Sequence, residues 1–127
     1  MVGVLVDTSI FVDYLRGADR AREAIRKIQT GEVESYVSAL TEAELLAERA
    51  CEDESTREGV HGLISLCRKE NVHNQISQKA GEFRRKYAVS LADCIIAATA
   101  YTLKSKIWTK NIKEFRRIKE VIIEEPY

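Results

Sequence analysis

VGVLVDTSIFVDYL, residues 2–15, is the stretch whose reading decides the fold. Its first five residues are apolar without a break, the pattern of a strand buried on both faces. Asp7-Thr8-Ser9 then interrupts the run with side chains that start helices, and the apolar positions from Ser9 to Leu15 recur at helical spacing. A buried strand passing straight into a helix opens a strand, helix, strand unit whose strands lie parallel.

The same alternation continues outward. Residues 18–29 read as a charged amphipathic helix stopped by Thr30-Gly31, and SYVSA at 35–39 is β-branched and aromatic enough for a second strand. Ala43, Ala47 and Ala50, with Leu45 and Leu46 beside them, keep helical period from Leu40, as do Val60, Leu63, Ile64 and Cys67 further on. NVHN at 71–74 predicts a short third strand ahead of a basic helix at 76–87. LADCIIAATAYTLK at 91–104 predicts a helix that is apolar nearly all round and therefore buried against a sheet. KIWT at 106–109 and EVIIE at 120–124 supply two more strands around a short helical NIKEFRRI segment. The expected class is α/β: a three-layer α/β/α sandwich whose central, mostly parallel sheet has four to five strands. Pro126 is the single proline and no linker-like stretch divides the chain, so residues 1–127 are expected to form one domain.

Composition narrows the function. Cys51, Cys67 and Cys94 are odd in number, widely spaced and without a CxxC or Cys/His partner, which argues against zinc and disulfides and for reduced thiols in a cytoplasmic protein. The N-terminus lacks the basic region and cleavage site of a signal peptide. The 17 residues between Lys86 and Lys104 carry one charge and fall short of the roughly 20 that a membrane span needs, so no membrane is expected as a partner. The net charge is zero, but it is unevenly distributed. Residues 32–58 hold nine acids against two bases, and residues 79–119 hold eleven bases against three acids. That asymmetry suits a polyanionic substrate, although a charge run is more often a solvated face.

In α/β folds the active site lies beyond the carboxyl ends of the strands, so the residues there carry the chemistry. Asp7 directly follows the first strand, Glu44 sits in the first turns of the helix after SYVSA, and Asn111 with Glu114 follows KIWT. Asp93 is the only charged residue between Lys86 and Lys104. A carboxylate in so apolar a setting lies in a cleft, pairs with a cation or binds a metal, because burying it alone costs several kcal/mol. Hard ions such as Mg²⁺ and Mn²⁺ prefer carboxylate and water oxygens, and phosphodiester hydrolysis uses such ions to activate water and to steady the leaving oxygen. Taken singly, Asp7 also fits a helix cap, Asp93 an acid at the positive end of a helix, and Glu44 a solvated residue between Glu42 and Glu48. Only their combination points to a metal. No Ser/His/Asp or Cys/His set competes; His61 and His73 read as surface or packing residues and Trp108 as core.

Taken in order, VLVDTSIFVDYLRG, VSALTEAELLAE, LADCIIAATA and WTKNIKEF resemble the successive motifs of the PIN domain, and more narrowly of the VapC-type toxins of prokaryotic toxin–antitoxin pairs. The resemblance covers the whole chain. It implies that Asp7, Glu44 and Asp93 form an acidic cluster binding Mg²⁺ or Mn²⁺, in an endoribonuclease leaving 5′-phosphate and 3′-hydroxyl ends. It further implies a homodimer inhibited by a small antitoxin that presents an Arg to the acidic groove. Leu45, Leu46, Leu63 and Leu66 are candidates for the dimer surface or, equally, for the core. Thr8, Ser9, Ser38 and Thr109 match polar residues lining such sites, and Lys86, Lys110, Lys113 and Arg116 are candidates for the RNA backbone. The fourth acidic position of the motif, often Asp, is Asn111 here; with Glu114 as a lesser candidate beside it, one metal is better provided for than two.

Two rival readings are retained. A catalytically degenerate PIN fold acting as a binding or regulatory partner is compatible with Asn111. A phosphoryl-accepting α/β domain is weaker, since receiver domains need paired acids after the first strand and haloacid-dehalogenase phosphatases need Asp-x-Asp-x-Thr, whereas Asp7 is followed by Thr8 and Ser9.

Overall fold

In the computed structural model, which describes residues 3–127, the apolar run forms the central strand β1, Val4–Val6. Residue 2, where the expected strand began, lies outside the described residues. Next come α1 (Thr8–Leu15), α2 (Asp19–Gln29), β2 (Ser35–Ser38), α3 (Ala39–Leu46), a 3-10 turn at Arg49–Glu52, and α4 (Glu54–Ile64). The second half is β3 (Arg68–Glu70), α5 (Asn74–Tyr87), α6 (Leu91–Leu103), β4 (Lys106–Trp108), α7 (Ile112–Phe115) and β5 (Ile123–Glu124). Gly31, at φ +78°, follows the last turn of α2 in a conformation that favours glycine, which is why the helix stops where Thr30-Gly31 predicts.

The five strands are all parallel, in the order β3-β2-β1-β4-β5. The winding therefore reverses between β1 and its two neighbours, β2 on one side and β4 on the other. The crevice beyond the carboxyl ends of β1 and β4 is the switch point at which such sheets place their sites. Val6 pairs with Trp108, so Asp7 and Thr109 emerge side by side, joined by the Asp7 N–H to Trp108 carbonyl bond of 2.9 Å.

The central strands β1 and β4 are apolar on both faces because helices cover both. Val4, Val6, Val37 and Trp108 face a core built from α1, α2, α3 and α4, whereas Leu5 and Ile107 face a second core of α5, α6 and the α7 segment. The expected three-layer sandwich is thus the observed one, with a sheet wholly parallel. Trp108 belongs to the core, its indole N–H donating to Glu124 at 2.8 Å. Leu45 and Leu63 are also core; of the four candidate surface leucines only Leu66 is exposed.

The third strand differs from expectation. It is Arg68–Glu70, not 71–74, and it pairs only with β2, through Tyr36, Val37 and Ser38. An edge strand of three polar residues is held by backbone pairing rather than apolar burial, so it leaves no hydrophobic pattern to read. His73 instead occupies the N-cap position of α5, without a side-chain cap bond. The three cysteines are free and buried, and both histidines are exposed. Among the described residues, no helix is long and apolar enough to cross a membrane.

Candidate functional site

Asp7 is 6% exposed and stands at the N-cap position of α1, yet its side chain makes no cap bond. Its Oδ2 accepts instead from Ser9 Oγ at 3.0 Å and from Thr109 Oγ1 at 2.8 Å. The capping explanation for Asp7 therefore fails. Both donors are neutral hydroxyls, and both use the same oxygen.

Glu44 reaches the crevice from α3. Its Oε1 lies 2.7 Å from Thr8 Oγ1, which is itself 3.0 Å from Thr41 Oγ1. A carboxylate only accepts, so the single Thr8 proton goes to Glu44, and Thr41 supports Thr8 as a hydroxyl neighbour. Thr41 is fully buried and lies one helical turn before Glu44, on the same face. It escaped the sequence reading, although the spacing Thr-x-x-Glu was there to find. Ser38 makes no bond to a site carboxylate; it caps α3 by accepting from the Leu40 N–H at 3.0 Å, and so fixes the helix that carries Glu44.

Asp93 sits in the first turn of α6, where Ser90 caps the helix by accepting the Asp93 N–H at 3.2 Å. Its Oδ2 accepts from the Asn111 side-chain amide at 3.3 Å. The Asp93 carboxyl is raised above the ordinary 3.8, first by burial and then by the negative charges of Asp7, Glu114 and Glu44, with the Ser90 hydrogen bond opposing. Those causes place all four acids within electrostatic reach of one another. Ser90 is a second residue the sequence reading missed, though Ser-x-x-Asp is a recognisable helix start.

The β4–α7 turn closes the site. The Lys110 N–H donates to Ser9 Oγ at 3.1 Å, and the Asn111 N–H donates to Thr109 Oγ1 at 2.8 Å, so the turn touches Asp7 through two hydroxyls and Asp93 through Asn111. Glu114 is pulled aside, 3.8 Å from Arg117.

None of the ion pairs among the described residues includes Asp7, Glu44 or Asp93. All three are held by neutral donors: Ser9 and Thr109 on Asp7, Thr8 on Glu44, and Asn111 and Ser90 on Asp93. This donor set suits a hard divalent cation: oxygen ligands, a local excess of negative charge and no protein cation to neutralise it. As they stand, no three such groups among the described residues are close enough to grip an ion.

The candidate RNA contacts separate. All four are exposed, but Lys86 pairs with Glu120 and Lys110 with Glu125, while Lys113 and Arg116, on and just after α7, make no ion pair among the described residues.

A parallel sheet with acids gathered at its switch point defines the class: the chain belongs to the PIN domain family, whose model matches residues 4–121. It is 29% identical over 116 residues to Ribonuclease VapC19 of Mycobacterium tuberculosis, covering 87% of this chain and 90% of that one. Its fold matches a toxin-antitoxin complex from Klebsiella pneumoniae with a TM-score of 0.82 at 24% identity, covering 98% of each chain. DNA-bound VapBC from Salmonella typhimurium gives a TM-score of 0.82 at 23% identity over the whole of both chains.

Proposed function

We propose that this chain is a Mg²⁺- or Mn²⁺-dependent endoribonuclease and the toxin of a VapBC-type pair. The observation that carries the reading is the trio Asp7, Glu44 and Asp93, gathered at the switch point, held by neutral donors and in no ion pair among the described residues. The similarity to a protein named as a ribonuclease supports RNA as the substrate.

Asp7, Glu44 and Asp93 would hold the ion, with the Asn111 side chain beside it. Bound there, a divalent ion supplies Lewis acidity to a phosphodiester and lowers the pKa of water for in-line attack. The chain's own part is positioning. Ser9 and Thr109 fix Asp7, Thr8 and Thr41 aim Glu44, and Asn111 steadies Asp93. Uncompensated, the trio repels a phosphate, so substrate approach requires the charge to be neutralised first. Lys113 and Arg116 then offer sequence-independent contacts to the RNA backbone.

The test is RNA cleavage with Mn²⁺, with EDTA, and with Asp93→Asn. Loss of activity in both of the latter, by about 100-fold or more, is expected. Cleavage that survives both removes the metal mechanism. The neutral Asn111, which donates to Asp93 rather than accepting, favours the alternative of a degenerate site in a binding or regulatory protein. Calorimetry with no Mn²⁺ binding at millimolar concentration would select it.

Toxin-antitoxin structures among the fold's neighbours support a small antitoxin as partner. An apolar groove of about 500 Å³ between α1 and α4, lined by Val12, Leu15, Leu45 and Val60 and edged by Glu48, suits an amphipathic segment. Homodimerisation is proposed from family resemblance, and light scattering giving a monomer mass would withdraw it.

A further inference from the structure

Lys110 lies in the middle of the turn that contacts both Asp7 and Asp93, and although the residue is exposed its ammonium is engaged by residues 125–127. The Nζ is 2.9 Å from the Tyr127 main-chain oxygen, 2.8 Å from Glu125 Oε2 and 4.6 Å from the centre of the Tyr127 ring. Tyr127 in turn donates its hydroxyl to Asp13 Oδ2 on α1 at 2.7 Å and packs against the core on that side. The segment starts from the same turn, because the Glu124 carbonyl accepts the Thr109 N–H at 3.3 Å. Pro126 restricts its own φ and biases Glu125 toward extended conformations.

Residues 125–127 thus form a short strap from β5 across the β4–α7 turn to α1. Three partners on one exposed lysine, a carboxylate, a main-chain oxygen and an aromatic face, tie this turn to residues 125–127. The adjacent Lys110 N–H and the Asn111 side chain are the groups that steady Ser9 and Asp93.

We infer that Lys110 and Tyr127 are positioning residues: the strap holds the Thr109-Lys110-Asn111 turn against the two aspartates, and Lys110 does not contact the RNA. The inference builds on the nuclease reading for its catalytic consequence, but its structural part stands apart from it.

The experiment compares Lys110→Met, Lys110→Arg and Tyr127→Phe with the wild type by amide hydrogen exchange, Mn²⁺ calorimetry and steady-state RNA cleavage. Lys110→Met and Tyr127→Phe are each expected to speed exchange of the Lys110 and Asn111 amides about three- to tenfold. Both should weaken Mn²⁺ binding and lower kcat by similar factors with KM for RNA within about twofold, and Lys110→Arg should restore most of the loss. Unchanged exchange in both variants overturns the strap. A raised KM with intact kcat in Lys110→Met, and a silent Tyr127→Phe, makes Lys110 an RNA ligand and also overturns it. If the wild type neither binds Mn²⁺ nor cleaves RNA, the nuclease reading fails, and the exchange rates still decide the strap.

Discussion

At the level of single residues, the site stores a cost that the proposed metal would relieve. Burial and three neighbouring acids raise the Asp93 pKa in the folded protein, so the folded state holds that proton more tightly than the unfolded chain does. Stability from this group is complete below the ordinary 3.8 and declines as pH rises through the raised value. Asp93→Asn removes the penalty while keeping a carbonyl for the Asn111 amide. Without metal at pH 7 the variant should be more stable by a few tenths to about 1 kcal/mol, a Tm gain of roughly 1–4 °C, and the gap should close on acidification. Saturating Mn²⁺ should reverse the order, because it stabilises only a protein that binds it. Thermal denaturation at several pH values, with and without Mn²⁺, checks all three. Thr41→Val supplies the companion test: it leaves Thr8 without its hydroxyl neighbour, and kcat should fall about three- to tenfold with KM little changed. Asp7 and Asp93 were legible in the sequence because each is a charge in an apolar context. Glu44 was legible only through its motif, since nothing local separates it from Glu42 and Glu48. Thr41 and Ser90 were passed over because hydroxyls carry no charge to stand out, and only their three-residue spacing from an acid marks them.

Among the elements, those with long apolar periods were readable and those held by backbone alone were not. α6, with six buried residues in thirteen, falls within one residue of the expected 91–104. β3 was displaced because Arg68, Lys69 and Glu70 bury little and owe their strand to pairing with β2. β5 shrank from five residues to Ile123–Glu124, since only Ile107 and Trp108 remain on β4 to pair with it. Helix ends were fixed by signals of uneven strength. Gly31 announces the end of α2, but α5 and α6 end on Ala88 and Lys104, at φ 55° and 54°. A left-handed residue with a Cβ costs roughly 1 kcal/mol, and glycine relieves it. Lys104 is exposed and makes no ion pair among the described residues. Lys104→Gly should therefore stabilise the protein by about 0.5–1 kcal/mol, read as a higher urea midpoint at unchanged m-value.

Over the whole molecule, zero net charge conceals a division of labour between halves. The acidic half, residues 32–58, contributes Glu44 to the site and Glu48 to the apolar groove, whereas the basic half supplies α5, α6 and the β4–α7 region. Counting bases overstates the charge available to a polyanion. Lys69, Lys79, Lys86, Lys106, Lys110 and Arg117 are all committed to carboxylates. Lys113 and Arg116 are exposed, adjacent to the site, and in no ion pair among the described residues, so the proposed substrate track is narrow. Narrowness has a measurable signature in the salt dependence of binding, because each phosphate neutralised on a single strand contributes about −0.7 to the slope of log K against log salt. Binding of single-stranded RNA to Asp93→Asn, used so that no cleavage intervenes, should show a slope that flattens by roughly 1.4 when Lys113 and Arg116 are both changed to Ala. Lys86→Ala in the same background should leave the slope unchanged, since its ammonium already faces Glu120 and the Tyr87 ring. A slope insensitive to the α7 pair but reduced by Lys86→Ala would move the RNA from the sheet's carboxyl edge to the outer face of α5, and with it the path by which a substrate reaches Asp7.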